Sequence, residues 1–154
     1  MISIIKRRKI TTTILALLII ITLSYKLKPR ITIKNNTNEI VRVYVMERVI
    51  SEDEPSIEEV DQLKKVRILN PQDKISIAPS FSTLLHINKE IDIGWRTMPP
   101  EKSNTKVGHK WFFIKATKGN CSYSLTISND NYTLKNEHSH ICIKRLAPIT
   151  DDSD

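Results

Sequence analysis

The segment Ile40–Met46 reads IVRVYVM, with valines at 41, 43 and 45 set against Arg42 and Tyr44. A period of two places the valines on one side of an extended chain and the polar pair on the other. A helix would scatter the same residues around its surface. The pattern recurs as ITIKN (Ile31–Asn35), ISIAP, EIDIGW, WFFIKAT, CSYSLTIS, YTLK and HICIKRL. FSTLLHIN is a further apolar run of strand length. Between these runs stand NNTNE, LNPQDK, KGN and NDN, rich in residues that tolerate turn backbone. About eight short strands with frequent turns predict a mostly β fold, an antiparallel sandwich or barrel. ITIKN and IVRVYVM, joined by NNTNE, predict a hairpin.

One stretch has a different period. Ile57, Val60, Leu63 and Val66 recur at three-residue steps. This predicts one short helix, Pro55 to Val66. Pro55 suits a first turn, and Ser56 with Glu59, or Ser51 with Glu54, forms a capping box. Acids lead and Lys64, Lys65 and Arg67 follow, in the order that complements the helix dipole.

The N-terminus restricts where this fold resides. Lys6 to Lys9 are all cationic, and from Ile10 to Leu23 every residue is apolar or a small hydroxyl residue. Such a run is more stable in hydrocarbon than in water, and preceding cations hold that end in the cytoplasm. Ile10 to Tyr25 is 16 residues, near the lower limit for crossing a bilayer core of roughly 30 Å. Leu27, with Lys26 and Lys28 reaching to the interface, extends it. The segment reads as a retained anchor or as a cleaved export signal; Thr22-Leu23-Ser24 is the best cleavage candidate. The expected plan is a cytoplasmic stub (1–9), a transmembrane signal anchor (10–27), an extracytoplasmic β-rich domain (28–147) and a disordered tail (148–154). The expected location is a bacterial inner membrane, crossed once, with the domain in the periplasm.

The formal charge of +7 comes largely from the same cluster; without its four cations the chain carries 20 basic against 17 acidic residues. That is an ordinary soluble surface, and no nucleic-acid partner is expected. With three separated glycines, the chain has no phosphate-cradling loop. Cys121 and Cys142 are the two cysteines, and an oxidising compartment favours a disulfide between them. In the chain-entropy model such a loop stabilises by roughly 3 kcal/mol. Cys142 lies between Ile141 and Ile143, so a regular strand would turn its sulfur away from the core-side Cys121. A bulge or irregular strand is therefore expected there.

Catalytic chemistry has little to build on. His138, Ser139, His140 and His109 lack a recognised metal-ligand spacing and read as solvated loop residues. No serine stands in a glycine-flanked elbow. No enzyme activity, cofactor or metal is expected. Trp95-Arg96 ends a strand, and both types are common at binding hot spots, although Trp95 also suits a core cap. Trp111, Phe112 and Phe113 put aromatics on both faces of one strand and predict a central strand covered on both sides. Glu52, Asp53, Glu54, Glu58, Glu59 and Asp61 carry no cation among them and offer an acidic patch to a basic partner.

The N-terminal segment, ITIKNNTNEIVRVYV and the terminal GNCSYSL, YTLK and ICIKRL together resemble small periplasmic proteins proposed as immunity factors of bacterial type VI secretion. The resemblance implies a compact β-rich domain that binds and neutralises a secreted toxin. The candidate partner-binding residues remain the six acids, Trp95 and Arg96. The alternative is a structural or accessory subunit of a cell-envelope or secretion complex.

Overall fold

The computed structural model describes residues 13–16, 18, 22, 26–50, 57, 61, 65–98, 105–137 and 141–149. Among them lie strands β1 (Arg30–Asn35), β2 (Ile40–Val49), β3 (Arg67–Leu69), β4 (Lys74–Ile77), β5 (Lys89–Met98), β6 (Val107–Lys115), β7 (Ser122–Ile127), β8 (Tyr132–Asn136) and β9 (Arg145–Pro148). A short helix, α1 (Phe81–Leu85), separates β4 from β5. The strands form a four-stranded sheet, β4-β1-β7-β8, and a five-stranded sheet, β3-β2-β5-β6-β9. All neighbours are antiparallel except β1 and β7, which run parallel. The mostly β expectation holds, with one mixed sheet in place of a wholly antiparallel plan.

The alternation reads directly onto this arrangement. Ile31 and Ile33 of β1, Leu125 and Ile127 of β7, Val41 and Val43 of β2, Ile91 and Ile93 of β5 and Phe112 of β6 are buried in one shared core. Each sheet turns one face to that core and the other away from it. Phe112 and Tyr123 meet across the core with ring centroids 5.4 Å apart.

The predicted β1–β2 hairpin does not form. β1 pairs with β4 and β7, while β2 pairs with β3 and β5. The Asn36–Glu39 turn instead carries the chain from one sheet to the other. Asn35, fully buried, makes this crossing. Its Nδ2 donates to the carbonyls of Glu39 (2.8 Å) and Leu69 (3.0 Å). Its Oδ1 accepts from Thr37 N (2.9 Å) and Thr37 Oγ1 (2.7 Å). Both polar atoms of the side chain are thereby bonded, to the turn residues Thr37 and Glu39 and to Leu69 in the other sheet, and the chain leaves the β1 ladder here.

FSTLLHIN is also not a strand. Ser80 caps α1 by accepting from Thr83 N at 3.1 Å, and Glu47 accepts from Ser80 N, Ser80 Oγ and Thr83 Oγ1. A cap and a carboxylate from β2 decide a segment whose apolar content was ambiguous.

Cys121 and Cys142 form a disulfide with Cα atoms 5.6 Å apart. Cys142 stands in irregular chain before β9, in line with the expectation, and Ile141 and Ile143 on either side of it are exposed. Beside the disulfide, Asn120 and Leu146 exchange backbone hydrogen bonds at 2.9 and 2.8 Å, tying the approach to β7 to β9.

Of the expected helix at 55–66, Ile57 and Asp61 are helical and Val66 is not; its other residues before Lys65 lie outside the described set. In the N-terminal segment, residues 13–16, 18, 22 and 26 are helical. Among the described residues no helix is long and apolar enough to cross a membrane.

Candidate functional site

The two outward faces differ in chemistry. On the four-stranded sheet, Thr32 and Lys34, Lys74 and Ser76, Ser124 and Thr126, Thr133 and Lys135 point away from the core. Short hydroxyls and lysines, with Arg30 at the start of β1, make a solvated surface. The five-stranded sheet presents arginine, aromatic and aliphatic side chains instead. The alternation of β2 that buries Val41 and Val43 turns Ile40, Arg42, Tyr44, Met46 and Arg48 outward. Register then sets Met98 beside Ile40, Arg96 beside Arg42, and Ile68 on the other side of Arg42. On β6, Val107 lies beside Arg96, His109 beside Gly94 and Trp111 beside Asp92.

Arg42, Arg96, Ile68 and Val107 are exposed, the last two at 62% and 75%. Neither aliphatic residue is covered by the protein's own core. Arg96 is thus placed on this face as expected, but Trp95 is not. Trp95 points the other way, is 5% exposed, and meets Tyr132 edge-on at 5.1 Å. It closes one end of the core. Gly108 makes room for it, since a Cβ there would lie 2.4 Å from the indole.

The other half of the face is a linked set of charges and rings. Arg48 pairs with Glu90, which is 2% exposed, and its guanidinium lies 4.0 Å from the Trp111 ring centroid. Trp111 Nε1 donates to His109 Nδ1, and Lys115 lies over Phe113. Trp111 and Phe113 were expected in the core of a strand covered on both sides. Only Phe112 is there; Trp111 and Phe113 are half-exposed, covered in part by side chains of their own surface rather than by a further layer. Stacked Arg and Trp can present a flat, partly desolvated surface at little entropic cost on binding.

Asp92 lies between Met46 and Trp111 in this face. Its Oδ1 is buried and has no hydrogen-bond partner among the described residues. Burial pushes the Asp92 carboxyl above the usual aspartate value; His109 and Arg48 oppose the rise and Glu90 adds to it. With its folded pKa above the unfolded one, Asp92 holds its proton more tightly in the fold. The stability this gives is fully present below the unfolded pKa and is lost as pH rises through the folded pKa. Asp92→Asn is therefore expected to raise the melting temperature at pH 7. The gain should shrink towards acid and vanish once pH falls below the ordinary value of 3.8. Melting curves of both chains between pH 3 and 8 check this, and an unchanged midpoint at pH 7 would refute it.

Of the expected acidic set, Asp61 is exposed and helical. Glu52, Asp53, Glu54, Glu58 and Glu59 lie outside the described residues, as do His138, Ser139 and His140. Among the described residues no three His, Cys, Asp or Glu side chains come together to hold a metal ion. No family model matches the chain. No curated protein and no solved structure matches it either.

Proposed function

We propose that this chain is a non-catalytic binding protein that engages a protein partner through the outer face of its five-stranded sheet. The contrast between the two outer faces carries this reading. One sheet is dressed in Ser, Thr and Lys with a single arginine, Arg30, among its described residues; the other shows Arg42, Arg96, Ile68 and Val107 beside a stacked Arg48–Trp111 pair. Arg and Trp dominate binding hot spots, whereas Ser, Thr and Lys do not. The exposed guanidinium groups fit a partner that offers carboxylates next to apolar side chains. In the fuller form of the proposal the N-terminal segment anchors the chain in a bacterial inner membrane. The domain then lies in the periplasm as a sandwich stapled by Cys121–Cys142, and the partner is a secreted toxin that it neutralises.

The test is protection. A toxin encoded by a neighbouring gene is directed to the periplasm, with and without the full chain. The wild-type chain should protect. Arg42→Glu with Arg96→Glu should weaken binding by roughly 30-fold or more and abolish protection. Lys34→Glu with Lys135→Glu, on the opposite sheet, should leave protection intact. Equal killing with and without the wild-type chain would dispose of the immunity reading. Loss of protection with the Lys34 and Lys135 pair alone would put the interface on the wrong face.

A further inference from the structure

Both sheets share a direction, so every connection lies at one of two ends. β1, β5, β7 and β9 begin at the end where the chain enters the domain from residues 26–29, and β3 runs in the same direction as these. β2, β4, β6 and β8 finish there. The entry is firmly fixed to that end. Ile143 N donates to the Leu27 carbonyl at 3.0 Å. Lys28, 8% exposed, donates to the Pro79 carbonyl and lies 3.7 Å from the centre of the Phe81 ring.

Aliphatic side chains protrude from this same end. Leu85, Ile87 and Ile141 are 81%, 83% and 82% exposed. Leu85 and Ile87 come from the β4–β5 connection and Ile141 from the β8–β9 connection, and the two are joined to each other and to the start of the β2–β3 connection. Lys144 Nζ donates to the His86 carbonyl at 2.6 Å, and Ile50 N to the Asn88 carbonyl at 3.0 Å. Between them opens a hollow of about 430 Å³, lined by Ile50, Ile87, Phe113, Lys115 and Lys144. Exposed or half-exposed cations ring the tips: Lys26, Lys89, Lys115, Lys118, Lys144 and Arg145. Glu47, the acid nearest α1, is bonded to Ser80 and Thr83, and Glu137 is exposed at the margin. The acidic stretch Glu52–Asp61 follows Ile50 in sequence, between β2 and β3, and its Asp61 is exposed.

We propose that this end of the domain docks on a bilayer containing anionic phospholipid. Leu85, Ile87 and Ile141 enter the boundary between headgroups and acyl chains, and the surrounding lysines meet lipid phosphates. The apolar stretch Ile10–Tyr25 leads into this end and no other, so a bilayer held by that stretch faces these tips. The orientation rests on the anchored reading above; the lipid contact itself does not. Docked in this way, the arginine-bearing sheet face stands at the side of the domain, open to a partner.

The full chain in lipid nanodiscs tests this. The native cysteines are paired, so a single introduced thiol takes an environment-sensitive dye. On discs containing phosphatidylglycerol, dyes at Leu85→Cys and Ile87→Cys should shift to the blue and be quenched by lipid-borne spin labels. A dye at Thr133→Cys should remain in water. Lys115→Gln and Lys118→Gln should each lower the ratio of docked to undocked domain by about fivefold, and added salt should act in the same direction. Equal signals on neutral and anionic discs would overturn the commitment to anionic lipid. A dye at Leu18→Cys separates the two readings. Wet probes at 85 and 87 with a dry probe at 18 would overturn the docking and keep the anchor. Dry probes at 85 and 87 with a wet probe at 18 would do the reverse, and wet probes throughout would overturn both.

Discussion

Gly119→Ala is expected to destabilise the domain by about 3 kcal/mol or more, enough to lower its melting temperature by roughly 10 °C. Two independent faults arise at this position. Gly119 has φ of +101°, a backbone conformation open to glycine and strained for any L side chain. A Cβ would also lie 1.9 Å from the Leu146 carbonyl oxygen. That oxygen is backbone and cannot rotate aside. It also accepts from Asn120 N in the bridge between Asn120 and Leu146. Relieving the clash means pushing β9 away, which breaks the bridge and strains the neighbouring Cys121–Cys142 link. Thermal melts of the wild-type and variant chains, followed by near-ultraviolet circular dichroism, give the comparison. A midpoint within 2 °C of wild type would show that β9 does not approach Gly119 this closely.

Asn35→Ala should cost about 2–4 kcal/mol, and Asn35→Asp a similar amount for a different reason. Alanine removes four hydrogen bonds at once and takes the Asn35 partner from the Leu69 carbonyl and Thr37 N, while the Glu39 carbonyl keeps Thr37 Oγ1 as its donor. The bond to Leu69 matters most because it joins β1 in one sheet to β3 in the other. Aspartate keeps the shape and the acceptor for Thr37 but replaces the Nδ2 donor with an oxygen facing two carbonyls. A buried site offers that charge no counterion among the hydrogen-bond partners it has. Denaturant titration of the three chains measures both costs. If Asn35→Asp proved as stable as wild type, the donor role assigned to Nδ2 would be wrong.

The inward halves of the strands were legible because burial follows a period of two: Ile31, Val41, Ile93 and Leu125 needed no further information. Pairing was not legible. Adjacent runs such as ITIKN and IVRVYVM look like a hairpin until Asn35 is seen bonded to Leu69, a residue 34 positions away. FSTLLHIN was ambiguous for the same reason, since Glu47, on another strand, holds the helix cap. The disulfide was readable from the presence of just two cysteines, and the conflict of faces at Cys142 pointed to the irregular chain found there. The candidate face was half visible. Arg96 was picked out by residue type, but Asp92, His109 and Trp111 meet only through the β5–β6 register. Aromatics on both faces of β6 suggested two covering layers, whereas the structure uses a guanidinium and an ammonium group as partial cover.

The parallel pairing of β1 with β7 has a temporal consequence. Arg30 is matched to Ser122 and Asn35 to Ile127, so the first strand of the domain acquires its central neighbour only when most of the polypeptide has been made. Until then β1 has β4 alone beside it, and half of the core lacks a wall. Contacts of such long sequence separation form slowly. The wall of the core beside β1 is therefore completed only once residues 122–127 are available, and the Cys121–Cys142 link only once Cys142 has followed.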